Sequence, residues 1–181
     1  GMFSEVVYHD LSILNHTLEL APYYIFSFFI ILIAATDLDT VLDSSFETGV
    51  IPDTFILVGS LLLVFLSYFS IGVLQSLSNG LIAFSMLFVP TYLYGRLRGK
   101  VFMGHGDYKL MFMIGLYINP FGALYTIFFA SIIGAFIGII LVLMGKGSNY
   151  PIPFAPMLGL GALIYVLFPY EVHLLLSMIQ F

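Results

Sequence analysis

The chain has 181 residues, of which 61% are hydrophobic and 8% are charged, and ten acids against five bases leave a net charge of −5. With a mean hydropathy of +1.10, this composition excludes an ordinary water-soluble domain and indicates a polytopic membrane protein. The acidic balance argues against nucleic acid as a partner. The absence of cysteine excludes disulfides and thiolate chemistry, and the scattered histidines lead us to expect neither a metal site nor a cofactor.

Almost every residue falls in an apolar run or a short connector, which predicts one all-α domain over residues 1–181, a membrane bundle of about six transmembrane helices. Residues 3–19 carry apolar side chains at helical spacing among polar ones. They predict an amphipathic helix at the membrane interface, with a short first span as the alternative. The first clear span covers residues 21–36 and ends in Asp37-Leu38-Asp39-Thr40. The polar segment 41–49 follows, and we expect it to be the most mobile part of the chain.

The second and third spans form a predicted hairpin. Pro52-Asp53 opens the second span, over residues 54–74, and the third span covers residues 80–95. The polar residues 75–79 are interpreted as the turn between them. A basic stretch then leads to Gly104-His105-Gly106-Asp107, where two glycines predict a sharp turn because glycine takes backbone angles that a Cβ disfavours.

Three further helices complete the predicted bundle. A short helix covers residues 108–118, and Asn119-Pro120 separates it from a span over residues 121–144. The proline-rich segment 151–156 leads into a last span that reaches about residue 178.

The basic residues predict the orientation of these spans. Threading the spans alternately through a membrane puts all five basic residues on one side, which the positive-inside rule makes cytoplasmic. Asp37 and Asp107 then lie at the cytoplasmic ends of helices, on either side of the hairpin of spans two and three. The five residues are Arg96, Arg98, Lys100, Lys109 and Lys146.

Two aspartates in one site predict acid–base chemistry. They cannot both ionise cheaply, so one keeps a proton while the other stays charged. The ionised carboxylate can then activate a water and the protonated one can donate to a carbonyl oxygen, which is the chemistry that splits a peptide bond. Helix dipoles suggest the hypothesis that Asp107, near a helix N-terminus, is the anion and Asp37, at a helix C-terminus, is the acid.

The motifs together resemble the type IV prepilin peptidase family, whose members are intramembrane aspartic proteases of the Gly-x-Gly-Asp kind. The resemblance covers about residues 21–168 and implies removal of the leader from type IV prepilins or pseudopilins. It implies a multi-pass protein of the inner membrane with its active site at the cytoplasmic face, and Asp37 and Asp107 as the catalytic pair. The implied partners are a substrate with a basic leader and the lipid bilayer. The motifs are residues 37–40, 51–53, 103–110 and 152–156.

Five residues near the pair are candidates for supporting roles. Each has an alternative reading: an acid can cap a helix or face water, and a lysine can anchor the membrane interface. The glycines can mark an ordinary turn. The five are Gly104, Gly106, Lys109, Asp39 and Asp53.

Two departures from the family pattern and two rival functions remain open. About eight residues within 41–49 are interpreted as an insertion between the first two motifs. Bacterial members of the family that the chain resembles also have a cysteine-bearing N-terminal region with methyltransferase activity, which this sequence lacks. The chain is therefore either a compact, peptidase-only form or a trimmed form of a longer protein. A proton-coupled transporter would spread ionisable residues along a path through the bilayer, whereas here the acids cluster at one face. An inactive scaffold of a pilus or secretion assembly is the other alternative.

Overall fold

The structure is a computed structural model that describes residues 20–39, 52–99, 103–145 and 153–168. These ranges hold six helices and no strand, so the predicted all-α fold is confirmed. The predicted amphipathic helix at 3–19 and the segment 41–49 lie outside the described residues. The helices are α1 (Leu20–Asp39), α2 (Asp53–Ser67), α3 (Val73–Arg98), α4 (His105–Tyr117), α5 (Pro120–Leu143) and α6 (Ala155–Leu167).

Three of the helices, α1, α3 and α5, are long and apolar enough to cross a membrane. Their lengths of 20, 26 and 24 residues match the roughly 20 residues that span a bilayer core. The other three have 15, 13 and 13 residues. By length and composition, the described part of the chain therefore contains three spans and three shorter helices.

The turn between α2 and α3 lies earlier in the chain than the sequence predicted. Helix α2 ends at Ser67, and Gly72 takes the left-handed backbone with φ of 88° just before α3 begins. Residues 75–79 belong to α3, and their polar side chains make hydrogen bonds within this helix and to α4. The Ser76 hydroxyl donates to the Leu116 carbonyl over 2.7 Å and is fully buried. The prediction of a turn there was wrong because polarity can be satisfied by a neighbouring helix as well as by water.

Helix α4 is the centre of the bundle. It contacts α2, α3, α5 and α6, and the ring of Tyr117 stacks on Phe26 of α1 at 4.5 Å between centroids. A short helix that is apolar all round is stable only when other helices surround it. The aspartate in its first turn is therefore carried by a helix that other helices surround. Five side chains of α4 are no more than 1% exposed: Leu110, Met111, Met113, Ile114 and Leu116.

Candidate active site

Asp37 lies in the last turn of α1 and is only 4% exposed. Its carboxylate accepts a hydrogen bond from the backbone N–H of Ala155, the first residue of α6. The first N–H groups of a helix have no partner within the helix, and together they carry a partial positive charge. Asp37 therefore links the end of α1 to the start of α6.

Asp107 is the third residue of α4, and Gly104 is the residue that caps this helix. The Asp107 carboxylate accepts a hydrogen bond from the Gly104 N–H, as an acid at this position of a capping box does. Gly104 has φ of −68° and ψ of 148°, an ordinary extended backbone. A Cβ at this position would lie 3.6 Å from Asp107 Oδ2. The glycine at 104 is thus not needed for its backbone angles, contrary to the argument from sequence, but it leaves the space beside the carboxylate open.

The two aspartates lie at the same end of the bundle and their charges interact. Asp107 is outside the three long spans. Burial raises the pKa of its carboxyl to about 7, with the negative charge of Asp37 contributing and the Gly104 N–H opposing the rise. A carboxyl with this pKa holds its proton about half of the time near neutral pH. The two carboxyl groups therefore lie close enough for the charge of Asp37 to favour the protonated form of Asp107.

The helix dipoles do not distinguish the two aspartates. Asp107 lies at the N-terminus of α4, and Asp37, although it ends α1, lies at the N-terminus of α6. Both carboxylates therefore face the positive end of a helix. The contact of Asp37 with the start of α6 joins distant positions, so the residues around Asp37 do not indicate it.

The structure also brings Lys109 and Asp53 together at this end of the bundle. Lys109 Nζ lies 2.7 Å from Asp53 Oδ1 and 2.6 Å from Oδ2. The two side chains are 48% and 69% exposed, and they join the second turn of α4 to the first residue of α2. Asp39, the last residue of α1, is exposed. Within the described ranges no three histidine, aspartate or glutamate side chains gather as metal ligands.

We expect this ion pair to contribute little to stability because both partners are exposed. A double-mutant cycle with Lys109→Ala, Asp53→Ala and the double variant should give a coupling of about 0.5 to 1 kcal/mol in thermal or denaturant unfolding. A coupling near zero would show that the two side chains do not interact in solution. A coupling several times larger would show that the pair is far less accessible to water than its exposure indicates.

Two features of the site were missed from the sequence. One is the hydrogen bond from the Ala155 N–H to Asp37. The flanking Pro153 and Pro156 could have indicated it, because prolines next to a helix start leave few free N–H groups there. The other joins α4 to α3: the hydroxyls of Tyr108 and Thr91 are 3.0 Å apart. No local pattern relates these two residues, which are 17 positions apart.

Comparison of the sequence with known proteins identifies a family that matches this chain. A sequence profile described as the type IV leader peptidase family matches residues 24–139. Similar curated proteins are named prepilin leader peptidase/N-methyltransferase. The one from Stutzerimonas stutzeri is 32% identical over 65% of this chain and 42% of its own length. The one from Xanthomonas campestris is 34% identical over 48% and 30%, and the one from Pseudomonas putida is 27% identical over 70% and 45%.

The matched region carries both aspartates, all of α2, α3 and α4, and most of α1 and α5. The chain spans less than half of the length of these curated relatives. No solved structure matches it. Because the profile covers well over half of the 181 residues, the chain belongs to the type IV leader peptidase family.

Proposed function

We propose that the chain is an aspartic endopeptidase that removes the leader peptide from a type IV prepilin or pseudopilin. One observation carries the proposal: a buried aspartate at the end of α1 and a half-buried one in the first turn of α4 interact electrostatically at one end of the bundle. Family membership and the names of the relatives support the reaction type.

In the proposed mechanism, Asp37 and Asp107 share one proton. The charged carboxylate draws a proton from a water molecule, and that water attacks the scissile carbonyl carbon. The protonated carboxyl donates to the carbonyl oxygen, and no covalent intermediate with the protein forms. The N–H groups of Ala155 and Gly104 orient the two carboxylates. The amine leaves with a proton returned by the pair.

Among the supporting residues, Gly104 and Gly106 keep side chains away from the approach to Asp107, so a substrate backbone can come close. Lys109 and Asp53 form an exposed ion pair between α4 and α2 at the same end of the bundle. Asp39, exposed near Asp37, adds negative charge that suits a basic leader.

The aspartate end of the bundle, where Asp37 and Asp107 lie, is proposed to face the cytoplasm of a cell whose inner membrane holds the protein. Arg96 and Arg98 lie in the last turn of α3 at this side, and Lys109 lies near the start of α4. Their clustering is the pattern that cytoplasmic ends of membrane helices show.

The test is cleavage by the purified protein. A prepilin with a basic leader that ends in glycine is incubated with the chain in detergent, and mass spectrometry locates the cut. We expect one product cut after the glycine, because a bond before an apolar helix must be unwound to reach the carboxylates and glycine makes that easy. Binding without a shortened product would support the scaffold alternative instead.

The pKa of Asp107 predicts how cleavage depends on pH. Because that pKa is raised from 3.8 to about 7, the protonated form persists up to neutral pH and is lost above it. The pair needs one proton, so kcat/KM should fall about tenfold per pH unit above about pH 7. A profile of kcat/KM between pH 5 and 9 checks this. A rate that stays constant to pH 9 would contradict a shared proton.

A further inference from the structure

A groove of about 490 Å³ lies between α2 and α3, with α4 as its floor. Its walls are almost wholly apolar, and leucines on α2 and α3 form exposed rims. The Lys109–Asp53 ion pair closes the groove at the aspartate end of the bundle. We call it the α2–α4 groove, lined by Ile56, Leu57, Leu61, Leu81, Phe84 and Phe112.

The α2–α4 groove and the aspartate pair lie on opposite faces of α4. Lys109 follows Asp107 by two positions, which is about 200° around a helix. Asp107 therefore points toward α1 and α6, and Lys109 points toward α2. The two sites are separated by about one helix diameter, roughly 10 Å, which an extended segment of about three to four residues can cross.

We propose that the α2–α4 groove binds the apolar helix of the substrate, so that the scissile bond lies about three to four residues before the first helical turn in the groove. The inference rests on the proposed function, since it assumes a substrate whose apolar segment follows the cut. It assigns recognition of that segment to α2 and α3, away from the carboxylates that cut.

The composition of the groove favours a helix that begins at the ion pair. The first N–H groups of a helix carry partial positive charge, and the carboxylate of Asp53 is accessible at the end where such a helix would begin. Beyond the ion pair the lining is apolar except for Ser60, whose hydroxyl is buried, which suits side chains of a membrane helix but offers little to a polar strand. The polar-to-apolar boundary of the substrate would therefore lie at the level of Asp53.

The test compares two substrates with one groove variant. The full substrate keeps its apolar segment, and a truncated peptide ends four residues after the cut. Leu81→Trp places bulk in the groove, whereas Leu124→Trp places the same bulk on α5 at a leucine of similar exposure, 54% against 62%. The measured quantity is kcat/KM for the full substrate divided by kcat/KM for the truncated peptide.

We expect this ratio to exceed one in the wild type. In Leu81→Trp it should fall about tenfold, which corresponds to about 1.4 kcal/mol of lost helix packing. In Leu124→Trp it should stay within about twofold of the wild-type ratio. A ratio that Leu81→Trp leaves unchanged, or that both variants lower equally, would overturn the inference. Cleavage of both substrates by the wild type would still uphold the proposed function, and cleavage of neither would refute it.

Photocrosslinking tests the occupant of the groove directly. A photoreactive phenylalanine analogue at Leu57 should crosslink the full substrate, and the same group at Ile139 on α5, which is equally exposed, should not. The yield at Leu57 should fall when the truncated peptide replaces the full substrate. Adducts at Leu57 that contain only lipid or another part of this chain, with substrate in excess, would contradict the inference.

Discussion

Replacing Asp107 or Asp37 by asparagine should lower kcat for leader cleavage about ten-thousandfold or more. Asparagine keeps the shape of the side chain but can neither take a proton from water nor donate one as an acid. In the proposed mechanism the two carboxylates act on one proton, so the double variant should be about as slow as either single variant, as residues that act as a unit are. Single-turnover cleavage of a prepilin by the three variants measures this.

Asp39→Asn is the matched control, because it is the same substitution two positions from Asp37, at an exposed side chain. We expect it to lose at most about tenfold, since a solvated charge acts on the site only through screened electrostatics. A loss as large as that of Asp37→Asn would show that Asp39 belongs to the reacting pair.

The stability of Asp107→Asn separates lost chemistry from lost folding. The Asp107 pKa is raised from 3.8 to about 7, so the folded protein binds a proton there that the unfolded chain releases. Between these two values, stability of the wild type falls as the pH rises. Asparagine does not titrate, so the melting temperature of Asp107→Asn relative to wild type should be higher at pH 8 than at pH 5. An inactive variant that melts well below wild type at pH 8 would be misfolded rather than chemically silenced.

The sequence predicted the helices, and the position of the two aspartates at the same end of them, because both depend on long, regular signals. Apolar runs separated by polar connectors define the helices, and the alternation of their ends puts Asp37 and Asp107 on the same side. Helix boundaries within the described ranges agree closely with those predicted for α1 and α5. These helices are bounded by proline, asparagine or aspartate, residues with strong local preferences.

The features that the sequence did not predict are contacts between distant positions. The turn before α3 was misplaced because Ser76 finds its partner on α4, 40 residues away. Lys109 and Asp53 were each named as candidates, but nothing in their neighbourhoods indicated that they pair across 56 positions. The hydrogen bond from Ala155 to Asp37 depends on how α6 packs against α1. Hydropathy and motif spacing carry no information about such packing.

Gly115→Ala should destabilise the fold and reduce cleavage together, because it separates the helix that carries Asp107 from α3. A Cβ at Gly115 would overlap the Cβ of Ala83 and lie 2.8 Å from the Asn79 carbonyl oxygen and 2.9 Å from the Gly80 Cα. Backbone atoms of a packed helix cannot move aside as a side chain can. We expect a loss of about 2 to 3 kcal/mol, measured as the fall in unfolding free energy or melting temperature in detergent.

Gly134→Ala is the control for this substitution. It is also in a helix of the bundle, α5, but its added Cβ would meet the Met157 sulfur at 3.0 Å, the flexible end of a side chain that can adapt. Its stability should stay within about 1 kcal/mol of wild type, because alanine also favours the helix by roughly that amount. In Gly115→Ala, a shift of α4 by even about 1 Å would lower the cleavage rate about a hundredfold. Adding Ala83→Gly to this variant removes one of the three overlaps and should restore part of both stability and activity. If Gly115→Ala and Gly134→Ala behaved alike, close contact between α3 and α4 would not be what holds Asp107 in place.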